Sequence, residues 1–269
     1  VKSHYELAKK ALLNGKHIFV EKPFTSNSEQ AKELIDIADR KGLIIMVDHT
    51  FLFTSSVRKM KELVDSGSLG DLYYYDSVRV NLGILQNDIN VIWDLAPHDL
   101  SIMNFILTNK KPTSVNAVGV NYFGNGLVEC AYLTVKFDHN FMGHFHVNWL
   151  SPVKVRKTLV AGNKKMLVWD DLEVDSKVKI YDKGVAVRKK TDMYYEMVLY
   201  RAGEMMYVPR LQNVEALKSE TDYLSNCIEQ SIKPINSGEQ GLDIVRILEA
   251  SDLSLKNGGK EIKLADRVY

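Results

Sequence analysis

A lysine and an acid–imidazole pair are the residues of this sequence whose types and spacing favour chemistry. Lys22 follows the apolar run 18–20 in HIFVEKPF, and Pro23 stiffens the turn directly after it. Asp94 and His98 lie four residues apart in WDLAPHDL, which places both side chains on one face of a helix. An imidazole beside a carboxylate can accept a proton near neutral pH. A solvated turn lysine, a capping aspartate and a hydrogen-bonded core histidine are the structural alternatives.

Two helix–strand units must position Lys22. Helical periodicity covers His4–Asn14 and residues 27–41, ending at Gly15 and Gly42, and apolar strands are predicted at 17–21 and 43–47. This alternation with short connections is typical of a parallel sheet covered by helices. Ligands of such sheets bind beyond the carboxyl ends of the strands, where Lys22 would lie. Glu21, next to it, is expected to pair with a cation.

The pattern changes after residue 54. A helix is predicted at Ser55–Ser66, another at Asp94–Thr108 and two more at about 213–232 and 239–256. Alternating segments predict strands at 72–82, 113–123, 127–137, 141–150, 156–161 and 165–169. The turn Gly124-Asn125-Gly126 favours a hairpin, so this sheet is expected to be largely antiparallel. Pro97 fits only a first helical turn, so Asp94 is expected at its helix N-terminus, where N–H groups favour a carboxylate.

Composition excludes several classes of protein. Lys and Arg number 35 against 34 Asp and Glu, a net charge of +1 that offers no basic surface for nucleic acid. No apolar run is long enough to span a membrane, and no signal segment opens the chain. Cys130 and Cys227 are far apart and form no metal-binding spacing, which predicts reduced thiols in a cytoplasmic protein. The charge balance and the short apolar runs together predict that neither nucleic acid nor a membrane is a partner.

Together the motifs resemble the Gfo/Idh/MocA family of nicotinamide-dependent dehydrogenases of sugars and polyols. The resemblance rests on the EKP turn at 21–23 within HYELAKKALLNGKHIFVEKPF, followed in order by D-x-x-x-H-D at 94–99. It implies an α/β plus α+β fold: a partial Rossmann-like parallel sheet followed by a mostly antiparallel open-sheet domain with flanking helices. Residues 1–53 would be the end of the dinucleotide-binding domain and residues 54–269 the domain for substrate binding and oligomerisation.

The resemblance also implies roles for single residues. Lys22 would lie beside the nicotinamide of NAD or NADP and the reacting hydroxyl, and His98 would take the hydroxyl proton while Asp94 sets the tautomer of His98 or binds a sugar hydroxyl. Glu21, Lys22 and Pro23 would contact the cofactor. Hydride transfer from an alcohol requires a base with a pKa near the working pH, and an ammonium group nearby stabilises the developing alkoxide. The redox chemistry itself belongs to the cofactor.

The segment NLGILQNDINVIWDLAPHD is similar to family members associated with nucleotide-sugar and surface-polysaccharide pathways. The first expectation for the substrate is therefore a sugar or a nucleotide sugar. Asn81 and Trp93 flank the predicted site and could contact sugar hydroxyls or a ring face, although structural roles are the alternative for both. Arg156 could meet a phosphate or carboxylate, or be an exposed strand arginine. His144 and His146 share a strand face, but no third ligand at suitable spacing supports a metal, so none is predicted.

One departure from the family concerns its glycine-rich phosphate turn, which this sequence lacks. The family layout implies that roughly 70 residues of the cofactor domain precede Val1. We therefore expect this polypeptide alone to bind NAD(P) poorly and to form a homo-oligomer through the large sheet. A catalytically silent relative that serves binding, regulation or assembly is the alternative to the enzyme.

Overall fold

The strands of the chain form two sheets of different kinds. The computed structural model describes residues 2–83, 85–124, 126–187 and 198–264, and within these ranges one sheet has two strands and the other nine. The small sheet is parallel and the large sheet is mostly antiparallel. This arrangement confirms the predicted fold class. Asn125, the centre of the predicted hairpin turn, lies outside the described residues.

The first unit alternates helices and strands as predicted. Its elements are α1 (His4–Leu13), β1 (Ile18–Val20), α2 (Ser28–Lys41) and β2 (Ile45–Val47). β1 and β2 pair in parallel with Phe19 opposite Met46. The Asn27 side chain accepts the N–H of Gln30 at 2.9 Å to begin α2, and Gly42 ends it at a φ of +63°. These local signals bring the residue after β1, Glu21, and its neighbours to the carboxyl edge of the sheet.

The helix that carries Asp94 and His98 begins earlier than predicted. A 3-10 turn (Thr50–Phe53), α3 (Ser55–Asp65) and β3 (Leu72–Leu82) lead to α4 (Val91–Ile106). The Asn90 side-chain oxygen accepts the N–H groups of Ile92 and Trp93 at 3.0 and 3.1 Å. Because this double cap sets the helix start, Pro97 lies inside α4, and the prediction that it belongs to the first turn is wrong. Asp94 still lies in the first turn of the helix.

The nine-stranded sheet of the described residues places β3 near its centre. Its other strands are β4 (Pro112–Val120), β5 (Cys130–Phe137), β6 (Met142–Asn148), β7 (Leu150–Gly162), β8 (Met166–Asp170), β9 (Val178–Val187), β10 (Val198–Tyr207) and β11 (Ile262–Lys263). Their order is β10-β9-β8-β7-β3-β6-β5-β4-β11, and only the β3–β6 pair is parallel. β9, β10 and β11 were not predicted, because charged residues and a glycine interrupt the pattern of β9 and β11 has two residues.

The closing helices join the two units. α5 (Ala216–Gln230) packs near the 3-10 turn, and α6 (Gly238–Lys256) packs against α2, α4 and β4. In the C-terminal half of α6, Glu249 accepts the N–H of Ser28 at 3.0 Å and Ser254 accepts the N–H of Ala117 at 2.9 Å. α6 therefore holds the small sheet against the large one. Among the described helices, none combines the length and apolar character needed to cross a membrane.

Candidate active site

Lys22 reaches from the end of β1 to the first turn of α4. Its Nζ donates to the backbone carbonyl of Asp94 at 2.7 Å and lies 3.2 Å from the Asp94 carboxylate. The turn that carries Lys22 is itself held from α1, because the His4 Nδ1–H donates to the Pro23 carbonyl at 2.9 Å. The sequence motifs EKP and D-x-x-x-H, separated by about 70 residues of chain, thus meet in one place.

The second oxygen of the Asp94 carboxylate is bound by Trp149. The indole N–H of Trp149 donates to Asp94 Oδ2 at 3.0 Å, and the ring is 2% exposed. Trp149 was not predicted as a site residue, because nothing in the residues around it indicates a partner on α4. The expected contact in which Asp94 sets the tautomer of His98 is corrected: the described hydrogen bonds of the Asp94 carboxylate go to Lys22 and Trp149.

His98 lies one helical turn beyond Asp94 with a free imidazole. The ring is half-buried, and its centroid lies 5.3 Å from that of Phe51 in an edge-on contact. Among the described residues neither ring nitrogen has a hydrogen-bond partner. Burial lowers the pKa of His98 well below its usual value, and the positive charges of Arg79 and Lys22 lower the pKa further. The imidazole is therefore neutral near pH 7 and has a lone pair available.

Phe51, from the 3-10 turn, organises the wall beside His98. The guanidinium carbons of Arg79 and Arg156 lie 4.7 and 5.1 Å from its ring centroid. The ring of Trp169 makes an edge-on contact with Phe51, with 6.0 Å between the two ring centroids. Arg156 Nη1 is held 2.5 Å from Asp171. Arg156 was a predicted substrate residue, and the structure places its charge close enough to His98 to lower the pKa of the imidazole.

The other two predicted substrate residues have different surroundings. The Asn81 amide lies beside Trp149 across Gly83, where an added Cβ would lie 3.1 Å from Asn81 Nδ2 and 2.9 Å from the indole. Asn81 therefore borders the same cluster as Asp94. Trp93 is directed elsewhere: its indole N–H donates to Asp252 at 2.8 Å, and its ring is 7% exposed. The structure gives Trp93 a role in docking α4 on α6.

Glu21 lies beside another carboxylate and forms no ion pair with any of the described residues. Burial raises the pKa of Glu21, and the neighbouring Asp48, at the end of β2, raises it further. The expected ion pair of Glu21 is thus corrected, because the Lys22 ammonium is directed towards Asp94. Glu220 on α5 completes this acidic neighbourhood: burial, and then Asp48, raise the pKa of Glu220 to about 8.

The free energy of unfolding is expected to fall with rising pH because of Glu220. In the folded state its pKa is about 8, against 4.5 for the free side chain, so the folded protein holds a proton that the unfolded chain releases. Between pH 6.5 and 8 this effect removes about 2 kcal/mol. Glu220→Gln keeps the oxygen that accepts from the His49 N–H and from Asn236, but it cannot ionise. The free energy of unfolding of this variant, measured with urea at each pH, should therefore lose this decline with rising pH. Glu229→Gln, exposed on the same helix, is the control, and parallel pH curves for Glu220→Gln and the unmodified protein would contradict the assignment.

Comparisons with known families divide the chain in a similar way. Residues 2–49 match an oxidoreductase family with an NAD-binding Rossmann fold, and residues 57–168 match the GFO/IDH/MocA C-terminal domain. Together the two matches cover more than half of the chain. The chain belongs to the Gfo/Idh/MocA family. The predicted family is therefore confirmed, and NAD as the dinucleotide cofactor is confirmed at the level of that family.

Individual relatives agree with this assignment. UDP-N-acetylglucosamine 3-dehydrogenase of Acidithiobacillus ferrooxidans is 31% identical over 119 residues, or 44% of this chain and 36% of that protein. The aldose-aldose oxidoreductase of Caulobacter crescentus superposes with a TM-score of 0.80 at 18% identity, covering 98% of this chain and 76% of the other. An inositol dehydrogenase homologue of Azotobacter vinelandii, complexed with NADH and myo-inositol, superposes with a TM-score of 0.77 at 16% identity. The superposition covers 97% of this chain and 75% of the other. The last two comparisons show the fold.

The matches to curated relatives are partial. In eight such proteins the matched segment spans 19% to 46% of the relative's own length. Activity, substrate and partners are therefore matters of proposal for this chain.

The described residues fit one end of a dinucleotide. The β1–α2 turn, Glu21-Lys22-Pro23-Phe24, has no glycine, and the first N–H groups of α2 are already bound by Glu249 and Asn27 at 3.0 and 2.9 Å. Two of the first three N–H groups of α2 are thus already engaged, and without a glycine the turn lacks the close backbone approach that a pyrophosphate site needs. Lys22, by contrast, has an ammonium group at the carboxyl edge of the sheet beside Asp94, a position suited to the nicotinamide end. Among the described residues no group of three or more His, Cys, Asp or Glu could hold a metal ion.

Proposed function

We propose that this chain forms the catalytic part of an NAD(P)-dependent oxidoreductase that transfers hydride between the nicotinamide and a hydroxyl-bearing carbon of a sugar, polyol or nucleotide sugar. The observation that carries the proposal is the contact of Lys22 Nζ with the Asp94 carbonyl at 2.7 Å. This contact brings the lysine at the sheet edge and the helix that presents His98 to one cluster. No observation favours the catalytically silent alternative.

His98 is the proposed general base. A neutral imidazole can accept the hydroxyl proton as hydride leaves the same carbon, and the hydride acceptor is supplied by NAD(P) when it is bound. The positive charges of Arg79 and Lys22 lower the pKa of His98, and the same charges stabilise an alkoxide and so lower the pKa of the alcohol. Both pKa values therefore shift in the same direction, which offsets part of the basicity that His98 loses.

Lys22 and Asp94 act as a pair in this proposal. The ammonium of Lys22 stabilises the developing alkoxide, and Asp94 holds that ammonium in place with one oxygen. Trp149 fixes the other oxygen, which leaves the carboxylate oriented towards Lys22 rather than towards His98. Asn81 and Arg156 border the cluster and are the proposed contacts for substrate oxygens. Glu21 and Pro23 are proposed to contact the cofactor with Lys22.

The wider assignments complete the proposal. Residues 1–53 are the end of the dinucleotide-binding domain and residues 54–269 the substrate domain, in a cytoplasmic homo-oligomer. Support for self-association comes from the outer face of the large sheet, which exposes the side chains of Val118, Val120, Tyr132 and Met142. Val118 on β4 lies opposite Tyr132 on β5, so these two side chains and Val120 form one exposed apolar area, which is the proposed contact between copies.

A direct assay tests the proposed reaction. The protein, joined to a complete dinucleotide-binding domain, is incubated with NAD+ or NADP+ and a panel of polyols, aldoses and nucleotide sugars, and absorbance at 340 nm is followed. Turnover with at least one member, dependent on Lys22, supports the proposal. Dinucleotide binding without turnover on any member of the panel, at pH values from 6 to 10, would contradict it.

Trp149→Phe should lower kcat/KM about tenfold. The change removes the indole N–H that donates to Asp94 Oδ2 at 3.0 Å, and a hydrogen bond to a charged group is worth about 1.5 kcal/mol or more. We expect the loss chiefly in kcat, because the carboxylate then holds Lys22 less firmly. Tyr75→Phe is the matched control, since it removes a buried hydroxyl that donates to the Asp99 carbonyl of the same helix at 3.2 Å. Equal effects of the two changes on kcat would show that the role of Trp149 is structural only.

A further inference from the structure

A small cavity lies where the 3-10 turn, α4 and α6 meet. It is lined from the turn and the residue before it by Leu52 and His49, from α4 by Ser101 and Asn104, and from α6 by Gln240 and Ile244. Its volume of about 10 Å³ corresponds to one water molecule and is too small for any organic ligand. We call it the His49–Asn104 cavity.

Three buried polar atoms of the residues that line this cavity have no hydrogen-bond partner among the described residues. They are both ring nitrogens of His49 and the side-chain nitrogen Nδ2 of Asn104. His49 is only 2% exposed, so bulk solvent barely reaches its ring. Burial lowers the pKa of His49 to about 4, so the imidazole is neutral near pH 7 and one ring nitrogen carries a lone pair. Because unpaired buried polar groups cost free energy, these atoms favour a ligand that pairs with them.

The same atoms restrict the chemistry of that ligand. The Asn104 Nδ2 group only donates, so the ligand must accept a hydrogen bond, and the lone pair of neutral His49 requires that the ligand also donate one. A metal cation cannot accept from Asn104, and a small anion cannot donate to His49. A water molecule does both, and the Ser101 hydroxyl oxygen at the cavity is a further polar neighbour for it.

The cavity adjoins the elements that surround His98. The Ser101 hydroxyl, which lines the cavity, donates to the backbone carbonyl of His98 at 2.7 Å. His49 directly precedes the 3-10 turn, whose Phe51 ring centroid lies 5.3 Å from that of His98. A bridge between His49 and Asn104 therefore connects the turn that carries Phe51 to the helix that carries His98.

We propose that the His49–Asn104 cavity binds one resident water molecule, which accepts a hydrogen bond from Asn104 and donates one to His49. His49 is then a positioning residue: through this water it fixes the turn of Phe51 against α4 and holds the aromatic wall beside His98. A water that bridges two buried groups can do so, since it binds them nearly as well as a direct hydrogen bond would. The site itself goes beyond the proposed function, whereas the value of the wall for hydride transfer rests on it.

The water site is tested on the full chain without cofactor or substrate. A crystal structure of the unmodified chain should show one ordered water within hydrogen-bond distance of Asn104 Nδ2 and a ring nitrogen of His49. Asn104→Leu keeps the branched shape of the side chain but removes the donor, and magnetic relaxation dispersion of the solvent should then report one long-lived water fewer. Asn226→Leu, exposed on α5, is the matched control and should leave that number unchanged.

Nuclear magnetic resonance of the histidine rings tests the positioning role. In Asn104→Leu the unprotonated ring nitrogen of His49 should shift downfield, because it loses its hydrogen bond. The ring protons of His98 should shift as well, because the neighbouring Phe51 ring moves with its turn. His98→Asn identifies the His98 signals, and Asn226→Leu should change neither histidine.

A crystal structure without a water in this cavity, or an unchanged number of long-lived waters in Asn104→Leu, would overturn the binding site. Loss of the water with unchanged His98 ring protons would remove the positioning role of His49. If Asn104→Leu does not fold, the crystal structure of the unmodified chain and Overhauser transfer from water to the His49 ring protons carry the test. Failure of the dehydrogenase assay would not alter these results, since none of them requires cofactor, substrate or turnover.

Discussion

Replacing His98 with asparagine should lower kcat by about 10²- to 10⁴-fold, the contribution typical of a general base. The imidazole is neutral and has no hydrogen-bond partner among the described residues, so its lone pair is free to accept the hydroxyl proton. Asparagine keeps a polar group of similar size but cannot accept that proton. The measurement is single-turnover formation of NADH with a responding substrate, in protein joined to a complete dinucleotide-binding domain.

His139→Asn is the matched control for this experiment. His139 is exposed in a turn with a φ of +57°, a conformation that asparagine adopts readily, so kcat should not change. The pH profile gives a second reading. Because the pKa of His98 lies below its usual value of 6.5, the acid limb of kcat should fall below pH 6.5 in the unmodified enzyme and be absent in His98→Asn. An unchanged kcat in His98→Asn would remove this residue from the mechanism.

Arg79→Met should lower the free energy of unfolding by about 3 to 5 kcal/mol. The Arg79 guanidinium donates to both oxygens of Asp99 at 2.7 and 2.9 Å, and the two side chains are only 4% and 2% exposed. Without Arg79, the Asp99 carboxylate remains in a buried site with no positive partner to replace the water it has lost. Urea unfolding at pH 7 measures the change.

The double variant Arg79→Met/Asp99→Leu distinguishes the net contribution of the ion pair from the cost of leaving the Asp99 carboxylate buried without a partner. Removing both charges should recover most of the lost stability, since a buried ion pair is often no more stabilising than apolar side chains of similar volume. Lys218→Met breaks an exposed pair with Asp222 at 3.0 Å, in which both side chains are more than two-thirds exposed, and should change stability by less than about 1 kcal/mol. If Arg79→Met behaves like Lys218→Met, the Arg79–Asp99 pair does not hold β3 to α4.

The residues proposed for catalysis could be singled out from the sequence because their signals are local. A strand that ends in Glu21-Lys22-Pro23 and an aspartate four residues before His98 are visible in short windows, and the fold follows from the alternation of helices and strands. The start of α4 was predicted three residues too late, because the prediction rested on Pro97 and left out Asn90, whose side chain caps the helix.

The contacts around those residues could not be predicted, because they join distant parts of the chain. Trp149 lies 55 residues from Asp94, and Arg156 meets Phe51 only after β7 pairs with β3. The same limit applies to Glu21, whose neighbour Asp48 comes from the adjacent strand end. Pairing of this kind depends on sheet order and register, which one sequence does not specify.

The position of α6 has a mechanical consequence for catalysis. α6 is attached to α2 through Glu249 and to β4 through Ser254, so opening a cleft between the sheets would break at least one of these attachments. We therefore expect substrate to enter and leave mainly through motion of the surrounding loops, with little hinge bending between the two halves.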